Sequence, residues 1–279
     1  MDAQAIAAAV HDLTAGKGYV MLEGFHGPDQ VAEARELIYR LAEEEPERTS
    51  HFHGNERVRT QKRVWNLPDK GRVFRDICGD ERLLAMLEPV LGDVRLASFA
   101  ANVLYPGAPA QEAHVDYPYW DLHKPERFPM GLNPSFMLEV ETLVMLDDFT
   151  LDNGATALVP ASQRDCVWPD QDSFARRHIR ATGPAGTLLL FPALTWHAGQ
   201  ANTSRGNRAA LLGCYTAKFV KPLEDWKLGL SEATRADLSP RMVRLLGLDE
   251  TYPAVMDGLP GRSSEGTRAR EGVYAEKAA

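Results

Sequence analysis

The sequence predicts a mainly β domain fronted by helices, and three observations carry that prediction. From Val94 onward, apolar and β-branched runs recur between Gly, Pro, Asn and Asp punctuation, at 94–105, 136–146, 156–159, 178–181, 187–191 and 208–219. That rhythm is the signature of an all-β core of two sheets. Upstream of Val94 the apolar residues fall at helical spacing instead. A length of 279 residues is enough to bury one large core, so a single domain, 1–279, is expected. It divides into a mostly helical front (1–92), the β core (94–220) and a C-terminal extension (221–279).

In the front, Val31, Ala34, Leu37, Ile38 and Leu41 repeat at helical spacing between 29 and 45, and Pro46 closes the segment. An amphipathic helix that packs on a sheet is expected there. A shorter helix precedes it, ending at Gly16 and Gly18, and 19–25 reads as a strand. The stretch 47–62 contains His51, His53 and the bases Arg48, Arg57, Arg59 and Lys62, next to Arg63. It lacks either period and reads as a mobile loop. One helix is expected over 72–91, stopped by Gly92. After Pro222 the chain reads as helical in parts, and 261–279, polar and charged, as poorly ordered.

Composition narrows the function classes. A net charge of −8 disfavours a nucleic-acid groove. The three cysteines, Cys78, Cys166 and Cys214, are unclustered, which fits reduced thiols better than a disulfide framework or a zinc knuckle. Asp2 stands where a signal peptide carries a base, and no apolar run approaches membrane-spanning length. A cytoplasmic protein acting on a small molecule, without nucleic-acid or membrane partners, is the expectation; oligomeric state is not legible.

The chemistry-bearing pattern is His114-Val115-Asp116, followed far downstream by Thr195-Trp196-His197. Residues i and i+2 of an extended segment share a face, so His114 and Asp116 reach one metal, and His197 arrives from another strand. Two imidazoles and one carboxylate suit one face of an iron(II), leaving positions for a co-substrate and dioxygen. Arg208 lies eleven residues beyond His197, where a strand returns it towards the metal and a guanidinium can hold a carboxylate bidentately. Other patterns carry less. His51 and His53 have no partner ligands nearby, Asp147 and Asp148 alternate across a strand and do not share a site, and Asp152-Asn153-Gly154 reads as a turn rather than a calcium loop. Nucleophile-elbow, phosphate-loop and Cys-x-x-Cys motifs are absent from the sequence.

In this order the segments resemble the phytanoyl-CoA dioxygenase family of iron(II)- and 2-oxoglutarate-dependent oxygenases, small-metabolite branch. The resemblance runs from about Arg63 to Trp226 through 63–68, 101–107, 111–120, 147–160, 184–191 and 197–208. Two departures stand out: the usual Pro-Gly-Ser-His reads Pro160-Ala161-Ser162-Gln163, and Val115 replaces a frequent Gln between the first two ligands. The resemblance implies a double-stranded β-helix (a cupin-like jelly roll), with His114, Asp116 and His197 as iron(II) ligands. It further implies 2-oxoglutarate as co-substrate, its far carboxylate on Arg208, with Gln111, Thr156 and Asn102 as hydrogen-bonding candidates, and dioxygen as oxidant. Halogenating relatives replace the carboxylate ligand with a small residue, so the retained Asp116 argues for oxygenation. Substrate-contact candidates are Tyr117, Tyr119 and Trp120, just after the ligands, and Arg63, Trp65 and Asn66. The activity implied is hydroxylation of an unactivated C–H bond of a small metabolite, with a place in secondary metabolism. Desaturation, epimerisation or oxidative cyclisation with the same cofactors is the alternative within enzymes, and a non-catalytic jelly-roll binding protein the alternative of another class.

Overall fold

Alternation along the central strands sorts their side chains between two apolar layers. The computed structural model describes residues 2–44, 60–119 and 137–250. Its strands are β1 (Val20–Leu22), β2 (Gln61–Val64), β3 (Val94–Leu104), β4 (Glu139–Met145), β5 (Ala157–Leu158), β6 (Ile179–Arg180), β7 (Leu188–Pro192), β8 (His197–Ala198) and β9 (Arg208–Ala217). Six form an antiparallel sheet in the order β1-β7-β4-β9-β3-β2, and three form a smaller one, β6-β5-β8. A bridge between His114 and His197 lays the first ligand segment beside β8. Non-consecutive neighbours across the large sheet, all but the β2–β3 pair, and a smaller second sheet make this the jelly roll.

The outer face of the large sheet carries Leu96, Phe99, Ala101, Val103, Val140, Val144, Leu188, Leu190, Leu211 and Tyr215 into the main core. Helices cover it: α1 (Ala3–Thr14), α2 (Pro28–Glu44), α3 (Leu67–Lys70), α4 (Arg72–Cys78) and α5 (Glu81–Leu91). Val31, Ala34, Ile38 and Ala42 form the buried stripe of α2, the expected amphipathic helix. The inner face holds Leu143, Met145, Leu189, Phe191 and Ala210 against Phe149, Leu158 and Ala181. In β3 the buried outer positions change from even (Val94, Leu96) to odd (Phe99, Ala101, Val103) because the register shifts between Leu96 and Ser98. This bulge turns Ser98 and Asn102 inward.

Several elements differ from the sequence-based expectation. The helix expected over 72–91 is two helices: Gly79 N–H closes α4 on the Arg75 carbonyl at 2.9 Å, and the Asp80 carboxylate caps α5 by accepting from Arg82 N. A short acidic side chain that caps a new helix competes with continuation of the old one. The strand expected over 19–25 is three residues long. The end of the expected loop contains β2, an edge strand paired with β3 whose polar Gln-Lys-Arg-Val has no apolar alternation to announce it. β8, at two residues, is too short to show a period. The C-terminal extension is helical in parts, at Trp226–Gly229, Glu232–Ala236 and Pro240–Leu245. The readings for His51, His53 and 261–279 lie outside the described residues. Among the described residues no helix is long and apolar enough to cross a membrane, and Cys78, Cys166 and Cys214 are free thiols.

Candidate functional site

The two sheets enclose a cavity of about 200 Å³ whose lining includes His114, Asp116 and His197. The ligand-type atoms of these three lie within 4.8 Å of one another. His114 Nδ1 bonds the Glu112 carbonyl at 2.8 Å and His197 Nδ1 the Thr195 carbonyl at 2.9 Å. Because a carbonyl only accepts, each Nδ1 carries a proton, so that in the neutral imidazole Nε2 is the nitrogen that presents a lone pair to a metal. Both Nε2 atoms converge on Asp116, at 2.9 Å from Oδ2 for His197 and 3.6 Å from Oδ1 for His114. Burial pushes His114 below its ordinary value, assisted by His197. Burial acts against His197 and Asp116 too, but their mutual attraction wins, raising the imidazole and holding the carboxyl down at about 2. Asp116 is therefore ionised at neutral pH. Two imidazole nitrogens and one carboxylate oxygen, fixed from behind, form a donor set that fits iron(II).

The local fold supplies this precision. β8 hydrogen-bonds to the ligand segment through His114 N to the His197 carbonyl at 3.0 Å and His197 N to the His114 carbonyl at 3.2 Å. Next to His197, the Trp196 amide donates to Ser162 Oγ at 2.8 Å and its indole to the Val167 carbonyl at 2.9 Å. Ser162 sits in the segment that departs from the family pattern, and Ala161 before it has φ 64, in the left-handed region where that pattern places glycine. Ala161→Gly is therefore expected to stabilise the protein by about 0.5–1 kcal/mol, read as a rise of roughly 1–4 °C in the thermal midpoint.

Arg208 is fully inside the protein at 2% exposure. Its Nη2 donates to the Gly154 carbonyl at 2.9 Å and its guanidinium lies 4.2 Å from the centre of the Phe149 ring. Its Nε is buried without a hydrogen-bond partner among the described residues. Burial lowers its pKa to about 9, with Asp147 opposing, so it stays cationic at neutral pH. A buried cation with an unused donor is suited to pairing with a carboxylate. Asp147 sets the start of β9 by accepting from Ala209 N at 2.8 Å while Arg35 Nε and Tyr39 OH, each at 2.5 Å, tie it to α2. Asp148 instead accepts from Ala185 N, so the two adjacent carboxylates part as expected.

The other expected residues divide. Gln111, Thr156, Asn102, Arg63, Trp65 and Tyr117 line the cavity. The Gln111 carbonyl oxygen accepts from Gly199 N at 2.9 Å, and Asn102 Oδ1 accepts from Gln61 Nε2 at 3.1 Å, which leaves each amide nitrogen available. Tyr117 donates its hydroxyl to the Lys221 carbonyl. Tyr119 lies elsewhere, packed in an apolar cluster with Val115 and Trp196, its hydroxyl accepting from Leu138 N at 2.7 Å. An aromatic following a ligand turns to whichever face the chain bends towards, and here that is the core. Asn66 is likewise structural: its backbone is left-handed (φ 56), its amide donates to Glu224 Oε2 at 2.8 Å and its side chain to the Gly229 carbonyl at 2.6 Å. Trp120 lies outside the described residues.

Sequence reasoning missed Glu139, Glu141 and Cys214, whose ligand-type atoms also lie within 4.8 Å of one another. The available signal was Glu-Val-Glu, two acids at strand period inside an apolar run. Burial raises Glu141 from the ordinary 4.5 to about 8, and the Asp116 charge adds to it. The folded state then holds a proton that the unfolded state has released between those values. Metal-free protein should accordingly lose stability as pH rises from about 4.5 to 8. Glu141→Gln should flatten that slope, which chemical denaturation across the pH range checks.

Fold and site together define a jelly-roll protein with a facial set of two histidines and one carboxylate and a buried arginine in the same cavity. The phytanoyl-CoA dioxygenase (PhyH) family matches residues 15–210. A dioxygenase of Aspergillus fumigatus, af480, is 29% identical over 67% of this chain and 58% of its own length. Dioxygenase ALT11 of Alternaria alternata is 28% identical over 89% of this chain and 83% of its own. The crystal structure of the epimerase SnoN in complex with Fe3+, alpha ketoglutarate and nogalamycin RO superimposes with a TM-score of 0.60 at 18% identity, over 77% of this chain and 84% of that one. The chain belongs to the phytanoyl-CoA dioxygenase family, whose members use iron(II) and 2-oxoglutarate. The chain spans little more than half the length of the Aspergillus fumigatus relative.

Proposed function

We propose that the protein hydroxylates an unactivated C–H bond of a small molecule, using iron(II), 2-oxoglutarate and dioxygen. The observation that carries this reading is the meeting, in one cavity, of a preset His114–Asp116–His197 donor set and a buried Arg208 with an unused Nε. A purely binding jelly roll has no use for either, since an empty donor set and an unpaired buried cation both cost stability.

In this reading His114 and His197 bind through Nε2, held by the Glu112 and Thr195 carbonyls, and Asp116 supplies the anionic ligand. Arg208, with Gln111, Thr156 and Asn102 around it, orients the co-substrate. Bound iron(II) and 2-oxoglutarate supply the oxidative power, dioxygen being consumed as the co-substrate loses carbon dioxide and becomes succinate. Phe191, Leu143 and Leu212 exclude water from the inner wall, and Arg63, Trp65 and Tyr117 border the remaining space. Secondary metabolism is the setting this reading favours.

Succinate release from purified protein with iron(II) and 2-oxoglutarate, over a panel of candidate small molecules, tests the proposal. Expected is succinate release stimulated by a substrate that gains one oxygen. Loss of two hydrogens marks desaturation or ring closure, and inversion at constant mass marks epimerisation, the activity named for SnoN. Absence of 2-oxoglutarate consumption across the panel counts against the whole reading.

A further inference from the structure

β4 carries an acid pair that neither the metal ligands nor the co-substrate residues employ. Glu139 and Glu141 stand on the inner face of the strand, in register with Thr216 and Cys214 of β9. Glu139 is fully buried, and its Oε1 accepts from Cys214 Sγ at 2.6 Å. Its Oε2 is sealed from solvent, and when both acids are ionised it has no donor among the described residues; only a proton shared with the neighbouring Glu141 carboxyl gives it one. The Thr216 hydroxyl, two residues beyond Cys214 on the same face and also fully buried, has no partner among the described residues. Glu141 and Cys214 reach the surface of the cavity that holds the triad.

Buried carboxyl groups without donors are costly, and a bound group that brings N–H donors and positive charge removes the cost. The arginines of the cavity do not meet this demand. Arg208 faces the co-substrate, and Arg63 is drawn to three acids at once: Glu141, Asp116 and Glu224. Asp116 belongs to the metal, and Glu224 accepts the amides of Asn66 and Phe99, each at 2.8 Å. Arg63 thus answers Glu141 while also drawn to Asp116 and Glu224, and the acid pair beside the triad keeps more acceptors than one shared guanidinium satisfies.

We propose that Glu141, backed by Glu139, is the specificity-determining contact for a basic nitrogen of the substrate, so that the protein takes an amine, as its ammonium, in preference to an alcohol or an acid. The inference rests on the proposed function, in that this cavity is taken as the substrate chamber. An ammonium donates to Glu141 directly, and its charge lets the pair stay ionised without a proton held between the two carboxyls.

The test uses the full chain loaded anaerobically with iron(II) and 2-oxoglutarate, whose visible charge-transfer absorption reports the chamber. n-Butylammonium, n-butanol and butyrate are titrated as matched probes. Expected is perturbation of the absorption by n-butylammonium at a concentration at least about tenfold lower than by n-butanol, with butyrate weaker still. In Glu141→Gln the preference should fall to within about twofold, and Glu141→Asp, which keeps the charge one methylene further back, should lie between. Equal response to n-butylammonium and n-butanol, no response to n-butylammonium, or a preference that survives Glu141→Gln overturns the inference. Failure of the absorption to form with iron(II) and 2-oxoglutarate alone instead overturns the proposed function, which keeps the two failures distinct.

Discussion

Replacing His197 with alanine is expected to abolish iron(II) binding and 2-oxoglutarate turnover together while leaving the sheets assembled. The imidazole is 7% exposed and is aimed at Asp116 by the Thr195 carbonyl, so no neighbouring side chain substitutes for its Nε2. Loss of an outer-shell partner typically costs metal affinity 10–100-fold, and loss of a direct ligand should exceed that. The fold should persist because the main apolar core lies on the far face of the large sheet, against the helices, and does not include the triad. Truncation leaves a small cavity beside Phe191, whose ring centre is 4.7 Å from that of His197, at a cost of about 1–3 kcal/mol. His114→Ala should behave alike with a smaller stability cost, since His114 is more exposed. Metal content, succinate release and far-ultraviolet circular dichroism check these points. Wild-type succinate production in either variant would refute the triad.

The triad was readable because its geometry is partly local. His114 and Asp116 are two apart in an extended segment, and His197 follows closely on the apolar run of β7, although β8 itself is too short to announce a strand. The position of Arg208 was readable for a related reason: it begins β9, where it stands opposite Leu104 of β3 and lines the cavity. What escaped depended on contacts between distant segments. β2 is polar and becomes a strand only because the edge of β3 offers it Leu104, Val103, Asn102 and Ala101 as partners. Tyr119 and Asn66 look like active-site residues by position, yet the Leu138 amide and the Glu224 carboxylate claim them. Glu139 and Glu141 escaped because an acid in a strand ordinarily marks a solvated face, whereas the second sheet and the ligand segment here close over that face. The split at Gly79 and Asp80 is the one local feature passed over: an Asp after a Gly, within an otherwise helical run, is a capping signal.

Arg208→Ala is expected to raise the apparent KM for 2-oxoglutarate by roughly thirty-fold to a thousand-fold, the equivalent of about 2–4 kcal/mol for removing one partner of a charge-assisted pair in a mostly dry pocket. The case rests on burial and on what the guanidinium lacks. At 2% exposure, with the Gly154 carbonyl accepting from Nη2 and Nε without a partner among the described residues, Arg208 gains most of its compensation only when a carboxylate arrives. Arg208→Lys should recover part of the loss, because an ammonium keeps the charge but not the planar fork, and it forfeits much of the stacking on Phe149. Iron(II) affinity measured without co-substrate should change little in either variant, since Arg208 contacts the Gly154 carbonyl and the Phe149 ring rather than the triad ligands. Removing a buried cation that is only partly compensated, by the Gly154 carbonyl, the Phe149 ring and Asp147, should cost the apo protein little stability, and the alanine variant should therefore fold. An alanine variant with unaltered 2-oxoglutarate dependence would transfer the carboxylate to Arg63, the other guanidinium lining the cavity among the described residues, and Arg63→Ala would then have to show the KM effect that Arg208→Ala did not.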